Sequence, residues 1–162
     1  MALYDFLDTL PADKKLPTAT HLLRLTLPIW NEYVSKNQKG LAYHDSVVGL
    51  AHTVDKNLLL DTLTEVEADT SPEQKTNFNM LSEKFLDPIV SLQDGDWELP
   101  DAVLKTFYSA YNVLNACMGM EDTVFGERTL YVAINQAIDA LTTHKIMTFD
   151  EVNNLLYDIA NA

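Results

Sequence analysis

The sequence predicts an all-α protein, a single domain over residues 1–162 folded as an irregular bundle of about six to eight helices. Three observations predict it. Glycine is scarce, at five in 162 residues. Apolar residues recur mainly at three- and four-residue steps, the spacing of one helix face, and β-branched clusters are short. Hydrophobic residues at 47% and charged residues at 22% are ordinary for a folded chain, and this length buries a sizeable core.

The elements follow in order. Residues 3–10 form a short amphipathic turn or helix that Pro11 ends. The run "TATHLLRLTLPIWNEYVSK" places Leu22, Leu23, Leu25, Leu27, Ile29, Trp30, Tyr33 and Val34 along one helix, with a kink or break expected at Pro28. After Gly40, a stripe of Val47, Leu50, Ala51, Val54, Leu58 and Leu63 predicts one helix, or two joined near Asp55. Ser71-Pro72-Glu73 reads as a helix start, with Ser71 as the cap and proline in the first turn. The helix it opens carries Phe78, Leu81, Phe85, Ile89 and Leu92, with Pro88 as a second kink.

The clearest helix spans about Pro100 to Met118, where Leu104, Phe107, Tyr111, Leu114 and Met118 step by three or four. Gly119 stands where a left-handed C-cap belongs. Leu130, Ile134, Ala137, Ile138 and Leu141 mark the next helix, and His144 and Lys145 suit its negative end. Thr148 and Glu151 form a capping box for a last helix with Val152, Leu155, Leu156 and Ile159. Turn-rich segments fall near 11–18, 36–41, 69–73, 93–99 and 119–128. No repeat or linker divides the chain.

Charge is the unusual property. The net value is −13, and it is unevenly spread: residues 1–40 carry five basic and four acidic side chains, residues 41–162 six basic and twenty acidic. Such a field repels nucleic acid and anionic membrane and steers a cationic partner. Lys14-Lys15 is an isolated basic pair rather than a patch. The N-terminal "MALYDFLDTL" lacks the basic-then-apolar pattern of a secretory signal, and no apolar run approaches the ~20 residues that span a bilayer. The expected location is the cytoplasm.

Catalytic signatures are missing. No glycine-rich phosphate loop, nucleophile elbow or helical zinc motif occurs, so no catalytic residue, metal or cofactor is expected. The sole cysteine, Cys117, lies in the apolar run "YNVLNACMG" and reads as a small core residue. "SLQDGDWELPDAV" (91–103) resembles the start of a calcium loop at Asp94, Asp96 and Glu98. Leu99 then stands where the turn glycine is needed, and Lys105 where a closing glutamate belongs, so the match fails. His44 and His52, read as helical, point about 80° apart.

What remains is a binding surface. Asp94, Asp96, Glu98 and Asp101 surround Trp97, which either anchors a partner or staples over the next helix. Glu65, Glu67 and Asp69 form a second acidic patch. A small, acidic, all-helical chain without catalytic motifs resembles the immunity proteins of bacterial toxin systems. That likeness implies a cognate toxin as partner, often a cationic nuclease, blocked at its active site or substrate groove. The segments "LTLPIWNEY" and "WELPDAVLKTFYSAYNVLNA", less than a quarter of the chain, are also similar to an uncharacterised bacterial helical family.

The leading expectation is therefore a non-catalytic protein that engages a basic protein through these acids and Trp97. Two others stand beside it. One is a small helical metal- or ligand-binding enzyme with a site near His44, Asp45 and His52; the other is a structural or regulatory subunit that assembles through a helix face.

Overall fold

A computed structural model describes residues 2–68, 71–119 and 123–162. Within them lie seven helices: α1 (Leu3–Thr9), α2 (Ala12–Lys36), α3 (Leu58–Glu67), α4 (Gln74–Asp94), α5 (Asp101–Met118), α6 (Thr123–Thr143) and α7 (Phe149–Ala160). Between α2 and α3 sits one antiparallel hairpin, β1 (Ala42–His44) and β2 (Ala51–Thr53). The predominantly helical class is thus as the sequence predicts.

The strongest amphipathic pattern becomes the centre of the molecule. α5 pairs along its length with α6, and α2 lies across both. Phe107, Ala110, Val113 and Leu114 of α5 are fully buried, as are Ala133, Ile134, Ala137 and Leu141 of α6. Alanines at these positions let the two helix axes approach closely. Phe107 is the hub of an aromatic cluster, with Trp30 stacked at 5.7 Å, Phe85 tilted at 5.1 Å and Trp97 edge-on at 5.5 Å.

Several local expectations are corrected. Neither Pro17 nor Pro28 breaks α2, which runs unbroken for 25 residues and begins inside the segment expected to be a turn. Nearby threonine hydroxyls bond other carbonyls of the helix, Thr18 to Lys14 O and Thr26 to Leu23 O, while the prolines withdraw the N–H donors of Asp13 O and Arg24 O. Pro88 likewise lies inside the continuous helix α4. Ser71 does not cap α4: the chain makes a turn from Ser71 to Gln74 first, and the cap position is Glu73. Gly119 ends α5 with φ −93° rather than in the left-handed region. Left-handed caps occur at Gly95 (φ 81°) and Lys145 (φ 59°), after α4 and α6. The Thr148–Glu151 capping box is present with both of its bonds.

The largest departure is residues 41–54. The expected helix stripe is absent; Val47, Leu50 and Ala51 are exposed, and the segment is the hairpin. Its pattern has a period of two, with Leu41 and Tyr43 buried and Ala42 and His44 exposed. Tyr43 pairs with His52, flanked by Val54 N–H to Leu41 O (2.8 Å) and Asp45 N–H to Leu50 O (3.0 Å). Gly49, at φ 70°, supplies the left-handed residue that closes the loop.

Candidate functional site

The acidic corner between α4 and α5 is built on a helix stop. Gly95 N–H donates to Leu92 O, and Asp96 N–H to Ser91 O at 2.9 Å, the paired bonds of a Schellman motif. This reverses the chain and drops Trp97 into the core, where it is 4% exposed. Its indole N–H donates to Gly40 O at 2.7 Å, and its ring stacks on Tyr43 at 5.7 Å. Trp97 therefore presents no face to a partner. The expectation of an exposed anchor is corrected: the indole is stapled inward, against Tyr43 and Phe107.

The four acids of the corner have different surroundings. Asp101 lies in the first turn of α5, where the helix dipole favours a carboxylate, and stands 3.8 Å from Lys105. Asp96 is half-buried, and its Oδ2 finds no hydrogen-bond partner among the described residues. Asp94 and Glu98 are exposed, with no ion-pair partner among the described residues. Asp94 is also the last residue of α4, where the helix dipole disfavours negative charge. Local structure gives no reason for either residue to be acidic.

Glu65 and Glu67 are differently placed. Glu67 is paired with Arg24, and Glu65 accepts from Asn77 Nδ2 at 3.1 Å. Asp69, the third residue of that patch, lies outside the described residues. Because Gln74 at the start of α4 bonds Glu65 O while Asp94 ends the same helix, the two patches are separated by roughly the length of α4, about 30 Å. They do not merge into one surface.

The three residues near His44 also separate. His44 is exposed and faces away from Tyr43, opposite Ala51. Asp45 and His52 do meet, at 2.8 Å, and the His52 ring stacks on Tyr43 at 5.2 Å. Asp45 Oδ1 also accepts the backbone N–H groups of Val47 (3.1 Å), Val48 (2.8 Å) and Gly49 (3.2 Å), and Oδ2 that of Leu50 (3.2 Å). The Val48 amide, the His52 ring and the Gly49 and Leu50 amides hold the Asp45 carboxyl down at about 2. The group organises the loop. Among the described residues no three of His, Cys, Asp and Glu gather to hold a metal ion.

Two features escaped the sequence reading. One is a charged cluster in which Lys15 pairs with Glu127 and donates to Tyr131 Oη at 2.7 Å, while Tyr131 donates to Asp8 at 2.8 Å. Burial acts against the Lys15 ammonium, yet Glu127 and Tyr131 outweigh it and hold the group above the ordinary lysine value. A lysine so held is no nucleophile near neutral pH. The adjoining cavity of about 160 Å³ is lined by Leu16, Ala116, Cys117 and Leu130, and burial pushes the Cys117 thiol up to about 11. No short motif signals this cluster, because its members come from α1, α2 and α6.

The other feature is the hairpin tip, where Val47, Val48 and Leu50 are 86%, 68% and 60% exposed. Three exposed apolar residues within four positions are visible in the sequence, but helical spacing hid them. No described helix is long and apolar enough to cross a membrane. No protein-family model, curated protein or solved structure matches the chain.

Proposed function

We propose that this protein acts in the cytoplasm by stoichiometric binding to a basic protein, in the manner of an immunity protein neutralising a cognate toxin. The observation that carries the reading is the pair Asp94 and Glu98, exposed at the α4–α5 corner without an ion-pair partner among the described residues, beside a hydrogen-bonded helix stop. Uncompensated carboxylates on a fixed frame attract lysine and arginine from a distance and set the approach of the partner. The excess of acids over bases after residue 40 gives the field its sign. Trp97 serves by holding the corner in place.

The test is affinity capture from the native cell with the whole chain as bait, at low and at high salt. The expected result is one dominant protein rich in lysine and arginine, released as salt rises. In an Asp94→Lys/Glu98→Lys variant its association slows by about tenfold. Capture of no basic protein, or capture untouched by the double reversal, overturns the reading. Assembly through a helix face has one observation in its favour, since Leu86 and Val90, four residues apart on α4, are both about half exposed. A monomeric mass that does not change with concentration would exclude it.

A further inference from the structure

The hairpin combines three properties. Its tip is apolar, with Val47, Val48 and Leu50 turned to solvent, whereas such loops are normally made of polar turn residues. The tip is also restrained, its backbone N–H groups from Val47 to Leu50 all accepted by Asp45. Finally, both roots are fixed to the core by the only two tryptophans in the chain. Trp97 donates to Gly40 O just before β1, and Trp30 to Lys56 O (3.0 Å) just after β2. Exposed apolar groups on a pre-organised frame lose little entropy on docking, and clusters of this kind mark contact surfaces.

Charge selects the occupant. From Gly40 to Asp55 there is no lysine or arginine, so the loop lacks the basic residues that draw an apolar anchor onto anionic lipid. A second copy of the chain would bring one charge of −13 against another. A cationic protein surface with an apolar recess complements both the tip and the field. We propose that the hairpin tip is an apolar wedge that enters such a recess on the basic partner; this rests on the function proposed above. The acids govern encounter, and the wedge governs residence.

The experiment places a photo-reactive benzophenone side chain at position 47, with position 154 on α7 as control. The variants are a Val47→Ser/Val48→Ser/Leu50→Ser triple and the Asp94→Lys/Glu98→Lys double. The captured basic protein is purified, identified by mass and titrated against each variant; flotation with phosphatidylglycerol vesicles runs in parallel. The expected result is a cross-link to that protein from position 47 and none from position 154. The serine triple weakens binding at least about thirtyfold, chiefly through faster dissociation, with its salt dependence intact. The double reversal slows association and leaves the cross-link in place.

Three results would overturn the wedge while sparing the acidic-corner reading: unchanged affinity in the serine triple, cross-linking only to a second copy of this chain, or vesicle binding that the triple abolishes. If the wild type captures no basic protein, both fall together. Because the three substituted side chains are exposed, the triple should retain the melting temperature of the wild type, which separates lost contact from lost fold.

Discussion

The α4–α5 corner and the hairpin tip are two turns with opposite polarity. At the corner the apolar residue, Trp97, is inside, and Asp94 and Glu98 are outside. At the tip the acid, Asp45, is held by its own loop, and Val47 and Val48 are outside. Each turn places inside the group that fixes its backbone and leaves outside groups that its own stability does not require. Exposed residues without a structural role are where an interaction can be written without cost to the fold. The difference between the turns is the kind of force each offers: long-range attraction at one, short-range apolar contact at the other.

Replacing the inward groups should hurt most. Trp97→Ala removes the indole from Tyr43 and Phe107, and urea denaturation should show a loss of about 3–5 kcal/mol. Trp97→Phe keeps much of the packing but strands the Gly40 carbonyl, for a loss of about 1–2 kcal/mol. If the two variants prove equally mild, Trp97 is not the keystone of the corner.

Next comes Asp45→Ala, a local effect. Amide exchange at Val48, Gly49 and Leu50 should quicken by about tenfold or more while α5 stays protected. In the wild type, acid should lower the protection of these amides, taken relative to their intrinsic exchange rates at each pH. The folded value near 2 lies below the ordinary aspartate range, so this restraint is complete above that range. It is lost as pH falls through about 2. Protection factors that stay flat across that window would break the assignment.

The outward groups should matter least to stability. Val47→Ser and Val48→Ser, like Asp94→Asn and Glu98→Gln, should each change the unfolding free energy by less than about 0.5 kcal/mol. A larger loss at any of them would mean that the fold does depend on that side chain, and the contrast between the turns would dissolve.

Legibility in the sequence followed the range of the interactions. The α5, α6 and α7 patterns were readable because residues three and four apart share a face within one helix. The hairpin was not, because its strands are three residues long and Val47, Leu50 and Val54 mimic a helical stripe. The continuity of α2 through its prolines is also a matter of range: the helix is held by packing against α5 and α6, which no local pattern carries. At the α4–α5 corner the acids and Trp97 are legible as a group because Asp94 to Asp101 lie within one short stretch of sequence. The sequence leaves the direction of Trp97 open, since its partner carbonyl lies 57 positions away. The distance between the two acidic patches is likewise a property of α4 as a rod, which composition does not carry.

The two indoles that grip the hairpin roots are also the only tryptophans available to emit light. Both are almost fully enclosed, at 1% and 4% exposure, so their emission should be blue-shifted in the native protein. Any event that lifts the hairpin should redden and quench that emission before the helices melt. Binding that leaves the hairpin seated should leave the spectrum nearly unchanged. The chain thus carries an intrinsic, label-free optical gauge of its hairpin, readable in a stopped-flow cell without altering a residue.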